Sequence, residues 1–336
     1  MQLLFSQPLL STSSAHSLSL CLGGIYVGSL YLSKHARLSF SSSGGGGTGI
    51  AVPREKQKDE RWRDDPDVIR ARLVAVSIAT VVCCMVVFAV ILDHTGSLGI
   101  AFGATLLRLG FLTSPSTLFQ PRFADILPHL VTPILFLGPL FGAYLGKQLL
   151  GQRNWVWQSH FQARFMSLQG IRNYLIGPIT EEIVFRACVL AIYHLSGASA
   201  MRMIFFAPLT FGLAHAHHAW ETYNRYGRGL SALKIALMTT LFQLGYTTLF
   251  GFHASYLFLR TGSILPPITA HIFCNIMGIP EIAYELKRFP RHKTAIISIY
   301  LIGIIGFVYT LPRWTRMDDN LYWPSERDVT YNSARY

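Results

Sequence analysis

Apolar residues run through this chain in long stretches, without the short alternations of a soluble sheet or the striped pattern of a surface helix. The runs cover about 18–33, 73–92, 98–113, 130–149, 173–195, 202–218, 232–259, 264–280 and 294–311. A helix rises 1.5 Å per residue and needs roughly 20 apolar residues to cross about 30 Å of hydrocarbon. Lipid offers no partner to backbone amides and carbonyls, so each run is expected to satisfy them as a helix. The pattern therefore predicts an all-α fold, a polytopic transmembrane helical bundle. The run 98–113 is barely long enough to span and carries Arg108. The run 232–259 is longer than needed and is expected to tilt, or to break at Gly245 or Gly251.

Between and beyond the runs the chain is polar. Residues 1–17 read as a disordered leader, with no basic segment before the first run and no clear cleavage site. Residues 18–311 form the membrane-embedded domain, which contains a flexible inserted loop at about 35–72. That loop joins a Ser/Gly linker, Ser41 to Gly47, to a mixed-charge segment, Pro53 to Arg72, expected to be solvated. Residues 312–336 form a polar, loose tail.

Charge then orients the spans. With 98–113 left out of the crossing set there are about eight spans. Arg54 to Arg72, Arg153/Arg164/Arg172, Arg225/Arg228/Lys234 and Lys287/Arg288/Arg291/Lys293 then fall on one side. Only Arg108, Arg122, Arg202 and Arg260 interrupt the opposite connections, while Arg313 and Arg316 sit in the tail on that side. Counting 98–113 as a span would reverse most of the later basic loops. The positive-inside rule thus predicts eight crossings, with 98–113 re-entrant or interfacial and the basic loops cytosolic. The net charge of +12 is spread over these short clusters, which argues against a nucleic-acid surface. The five cysteines lie in or beside apolar runs at spacings of neither a disulfide scaffold nor a zinc knuckle.

Three runs carry polar residues that lipid would penalise. One contains Glu181, Glu182 and Arg186; the next Phe211 and His215, followed by His217 and His218; the third His271 and Asn275. A charge at bilayer depth costs roughly 2.5–3.5 kcal/mol on insertion scales, so such residues need a use. The predicted topology puts Glu181, Glu182, His215, His271 and Asn275 at similar depth in the cytosolic half, which points to one intramembrane catalytic site. Glu182 and Arg186 are four apart and suited to pair on a helix, leaving Glu181 for another role. A carboxylate with an imidazole can deprotonate a water, and His271 with Asn275, on one helical face, can donate to an oxyanion. Phe211 shares a face with His215 and either walls the site or simply packs.

Other readings stand beside this one. A zinc-dependent intramembrane protease would use the Glu and His residues as ligands, although no His-Glu-x-x-His helix is present. A proton-coupled membrane transporter would use the same residues as a relay, although no internal repeat is visible. A non-catalytic scaffold would use them to hold helices together, and Cys274 near His271 allows a thiol mechanism.

The ordered set Glu181-Glu182-x-x-x-Arg186, Phe211-x-x-x-His215 and His271-x-x-x-Asn275 resembles the motifs of the type II CAAX prenyl proteases. These are intramembrane glutamate proteases with bacterial bacteriocin-processing relatives. The resemblance implies a multi-pass endoplasmic-reticulum enzyme of eight helices, with its active site facing the cytosol. It would remove the aaX tripeptide from farnesylated or geranylgeranylated CaaX proteins such as Ras-like GTPases. It further implies Glu181 and His215 as activators of water and His271 and Asn275 as oxyanion donors, with Glu182, Arg186 and Phe211 supporting. No metal and no cofactor are implied. The implied partners are prenylated C-termini, the lipid bilayer and a downstream carboxyl methyltransferase.

Overall fold

The computed structural model describes residues 5–41, 52–112, 123–317 and 320–323. Beyond Ser41, the expected Ser/Gly linker lies outside these residues, as does the tail from residue 324. The described residues form helices joined by turns. Their only β-type pairing is an isolated antiparallel bridge between Ser39 and Arg61.

Four helices among the described residues are long and apolar enough to cross a membrane: Thr12–Leu32, Pro66–Thr95, Leu230–Thr261 and Pro290–Trp314. A fifth span is made if Asp125–Leu135 and Leu137–Leu145 are taken as one helix bent by 67°. These match five of the eight expected spans. The other three carry the polar residues: 173–195 and 202–218 are assembled from short helical pieces, and 264–280 holds one 13-residue helix, Leu265–Met277. The 11 residues of Leu98–Arg108 reach only about 16 Å, too short to cross.

One expectation about these helices narrows and another changes. Leu230–Thr261 is a single 32-residue helix, unbroken at Gly245 or Gly251, which leaves tilt as the way to fit its length. The run expected at 130–149 instead bends at Phe136, because Pro133 and Pro139 remove amide donors and crowd the preceding turn.

The chain groups into two compact units, one of Met1–Thr105 with Ile183–Tyr256 and one of Leu106–Glu182 with Leu257–Ser333. In the first, Thr12–Leu32 packs on Pro66–Thr95, Val189–Leu195 and Ala207–Ala214, burying Leu22, Val87, Phe185 and Leu190. Its helix starts inside the expected leader, since Ser11 caps it by accepting from the Ser14 amide at 3.1 Å. The amides of Leu9 and Leu10 donate to the Leu195 carbonyl at 2.8 and 3.1 Å. The mixed-charge segment is not uniformly solvated either. Glu60 is 3% exposed and accepts from Arg54 Nη2 at 2.5 Å, the Ser41 amide at 2.7 Å, the Gln57 amide at 3.0 Å and Trp62 Nε1 at 3.1 Å. Arg54 fastens this loop to the helix His218–Arg225, its amide donating to Arg225 O at 2.9 Å and its Nε to Asn224 O at 2.9 Å.

In the second unit, Lys293–Trp314 packs on Phe123–Leu135 and Leu137–Leu145. Gly138 and Gly303 allow this approach: a β-carbon on Gly138 would enter the Tyr300 ring, and one on Gly303 would lie 2.9 Å from Ile134 O. The helix Leu265–Met277 packs on Phe123–Leu135, Arg172–Ile176 and Gly177–Glu182. Part of the tail is held rather than loose. Asn320 Nδ2 donates to Leu259 O at 2.7 Å, the Tyr322 hydroxyl donates to Arg108 O, and Trp323 lies under the Arg260 guanidinium.

Candidate active site

The helical pieces around the two glutamates alternate in type. Arg172–Ile176 is π-helical, Gly177–Glu182 is α-helical and Ile183–Cys188 is π-helical again. In a π stretch the amide bonds to the carbonyl five residues back, as Gly177 N does to Arg172 O. Glycine suits this position, since a β-carbon would stand 2.5 Å from that carbonyl oxygen. Thr180 Oγ1 bonds back to Ile176 O at 2.7 Å, turning its hydroxyl into the helix. The spacing argument that pairs Glu182 with Arg186 uses 3.6 residues per turn, whereas 183–188 is wound more widely; residues four apart still share a face in either geometry.

The second unit holds Glu181, Glu182, His271 and Asn275. His271 Nδ1 lies 2.6 Å from Glu182 Oε1, while its Nε2 lies 3.8 Å from Glu181 Oε2. The first distance is a short charge-assisted hydrogen bond; the second is too long for a direct one. The Glu182 side chain is 0% exposed and that of Glu181 is 25% exposed. The two adjacent carboxylates are therefore unequal: one is locked to an imidazole, the other is reachable. Asn275, one helical turn after His271, is exposed, and its Nδ2 donates to Asn173 O at 2.9 Å. An amide NH₂ has two protons, so one fixes the side chain and the second is left to donate. Asn173 was not visible as a site residue in the sequence, because it contributes only a main-chain carbonyl.

The first unit holds Arg186, Phe211 and His215. His215 Nδ1 lies 2.8 Å from Phe211 O. A carbonyl can only accept, so Nδ1 carries the proton and, in the neutral ring, Nε2 carries the lone pair. His215 is thereby set as a base at Nε2. Phe211 is 2% exposed; its ring meets His215 edge-on at 4.8 Å and Phe185 at 5.2 Å. The Arg186 guanidinium sits 4.0 Å over the same ring and 5.4 Å from that of Phe250, an arrangement worth about 0.5–2 kcal/mol per contact. Of the two roles expected for Phe211, packing is the one this geometry describes.

Comparison with known proteins follows the same residues. A family model for Type II CAAX prenyl endopeptidase Rce1-like proteins matches residues 163–277, the segment that contains all seven candidate positions. The chain is 32% identical over 256 residues to the "Probable CAAX prenyl protease 2" of Schizosaccharomyces pombe, covering 74% of this chain and 81% of the relative. It is 34% identical over 279 residues to the human "CAAX prenyl protease 2", covering 79% of this chain and 77% of the relative. The chain belongs to the type II CAAX prenyl endopeptidase family. An Arabidopsis thaliana member is 41% identical over 140 residues, 42% of either chain. No solved structure matches the chain.

Membership makes the chain a membrane protease. Cys274 shares the helix of His271 and Asn275. Among the described residues, no group of three or more His, Cys, Asp or Glu side chains is placed to hold a metal ion.

Proposed function

We propose that the chain is an endopeptidase that removes the aaX tripeptide from farnesylated or geranylgeranylated CaaX proteins at the endoplasmic-reticulum membrane, with its site open to the cytosol. Family membership and the unequal glutamates support this reading. The basic loops support the orientation.

In the proposed mechanism Glu181, the accessible carboxylate, and His215 Nε2 take the proton of a water that attacks the carbonyl of the prenylated cysteine. The carbonyl oxygen becomes an oxyanion, stabilised by His271 Nε2–H and the second Nδ2–H of Asn275. For this, the Glu182–His271 pair holds one proton between Oε1 and Nδ1 and another on Nε2. Collapse of the intermediate breaks the C–N bond, and the stored proton passes to the amine of the departing tripeptide. The cysteine is left with a new α-carboxylate, the group that a downstream carboxyl methyltransferase would take.

The test is cleavage of a farnesylated CaaX peptide by isolated membranes. Wild type releases the tripeptide, and Glu181→Ala and His215→Ala do not; equal cleavage by all three would sink the site assignment. Chelation leaves cleavage unchanged in this mechanism, and loss restored by added zinc would establish the metalloprotease reading instead.

A further inference from the structure

In the second unit, four aromatic rings form a ladder ahead of the glutamates. Trp157 stacks on Phe161 with centroids 4.3 Å apart, Phe161 lies on Phe165 at 5.2 Å, and Phe165 reaches Tyr174 at 6.3 Å. These rings are not a closed core. Trp157 is 48% exposed, and Phe161, Phe165 and Tyr174 are only half-buried.

A built turn makes the ladder. Ser167 donates to Ala163 O at 2.6 Å and accepts from the Gly170 amide at 3.0 Å, folding Leu168–Ile171 back against Ala163–Phe165. Gly170 is required there, since a β-carbon would run into the Arg164 carbonyl oxygen. The inner end adjoins the candidate site: Tyr174 follows Asn173, whose carbonyl holds Asn275. Half-open aromatic faces thus lead, ring by ring, to the residue that anchors the candidate oxyanion donor.

We propose that this ladder is the track that binds the isoprenoid chain of the substrate, an inference that rests on the function proposed above. An isoprenoid has no hydrogen-bonding group and a series of flat, methyl-branched double bonds. Ring faces in sequence suit it, because aromatic surfaces offer large apolar contact at fixed geometry. A belt anchoring the protein at the bilayer surface would be built otherwise, from Trp and Tyr whose polar ends meet the headgroups at one depth. Two of these four rings are Phe, and the four touch in sequence, one pair stacked and two tilted, up to the neighbour of Asn173.

The test uses the full chain in isolated membranes. A photoreactive farnesyl analogue is cross-linked to Glu181→Ala protein, which binds without turning over, and the labelled peptide is mapped. In parallel, KM and kcat for a farnesylated CaaX peptide are measured for Phe161→Ala and for Phe161→Tyr, which restores a ring face. Labelling within 155–174 that a farnesylated peptide competes away is expected. So is a KM raised about tenfold with kcat nearly unchanged in Phe161→Ala, and rescued in Phe161→Tyr. Labelling elsewhere, or an unchanged KM in Phe161→Ala, overturns the proposal. Quenching of Trp157 fluorescence by brominated lipid with no protection by farnesylated peptide also overturns it, and makes the ladder a bilayer anchor. Cross-linking does not require cleavage, so failure of the wild type to release tripeptide would count against the proposed function and not against this one.

Discussion

Glu182 Oε1 is hydrogen-bonded to His271 Nδ1 at 2.6 Å, joining two residues 89 apart in sequence. In the proposed mechanism the second glutamate of the pair therefore acts through an imidazole. Its carboxylate is wholly buried, and a buried carboxylate is tolerable only with such a partner.

Glu182→Gln tests this positioning role. The amide keeps the shape and one hydrogen bond but supplies no charge to hold a proton on the ring. The expected result is a kcat lower by about 10²–10³, the usual scale for losing one oxyanion donor, with KM for the prenylated peptide little changed. A raised KM at unchanged kcat would make Glu182 a substrate-binding residue instead.

Asn275 separates donation from anchoring. Asn275→Asp keeps the size but removes both Nδ2 protons, including the one given to Asn173 O. Cleavage should fall by about 10²-fold or more. Asn275→Gln retains an NH₂ on a longer arm and should recover only part of the rate. Equal activity in wild type and Asn275→Asp would remove Asn275 from the oxyanion role.

The long spans were legible because about 20 apolar residues is a length signal that needs no tertiary context. The runs 73–92, 232–259 and 294–311 lie within long helices, and 18–33 overruns its helix by one residue. The motif residues were legible as charges and imidazoles where lipid would penalise them. What stayed hidden depends on partners far away in sequence or on a changed helical period. The Glu182–His271 bond crosses 89 residues. The π stretches at 172–176 and 183–188 change the helical period at the motif itself. The fully packed Phe211 looks, by sequence, the same as one lining a cavity.

Two glycines of the helix Leu230–Thr261 form a matched pair. A break at one or the other is the sequence's alternative to tilt, yet the helix passes through each. A β-carbon on Gly251 would lie 2.6 Å from Pro208 Cβ and 3.5 Å from Arg186 Nη2, whereas one on Gly245 would meet nothing within 4 Å. Gly251→Ala should destabilise by about 1–3 kcal/mol through overpacking against the helix that leads to His215. Gly245→Ala should be neutral or stabilising by up to about 1 kcal/mol, the helix-propensity difference. Thermal unfolding in detergent, followed by tryptophan fluorescence, checks both; equal shifts would contradict the packing described for Gly251.

Glu60 gives a pH prediction outside the membrane. Its hydrogen bond with Arg54, aided by the Gln57 and Ser41 amides, lowers its pKa from 4.5 to about 2 despite the opposing effect of burial. A carboxyl with a depressed folded pKa contributes stability that is complete above the unfolded value and lost as pH falls through the folded one. The attachment of residues 54–62 to the helix His218–Arg225 should therefore hold from neutral pH down to about 4.5 and weaken between there and about 2. Limited proteolysis with an acid-active protease reads this directly, as cleavage between Arg54 and Trp62 appearing in that window. Glu60→Gln should show the same cleavage at neutral pH, because its neutral amide cannot form the ion pair with the Arg54 guanidinium. Protection in Glu60→Gln equal to wild type at neutral pH would show that the backbone contacts of Arg54 hold the loop without the ion pair.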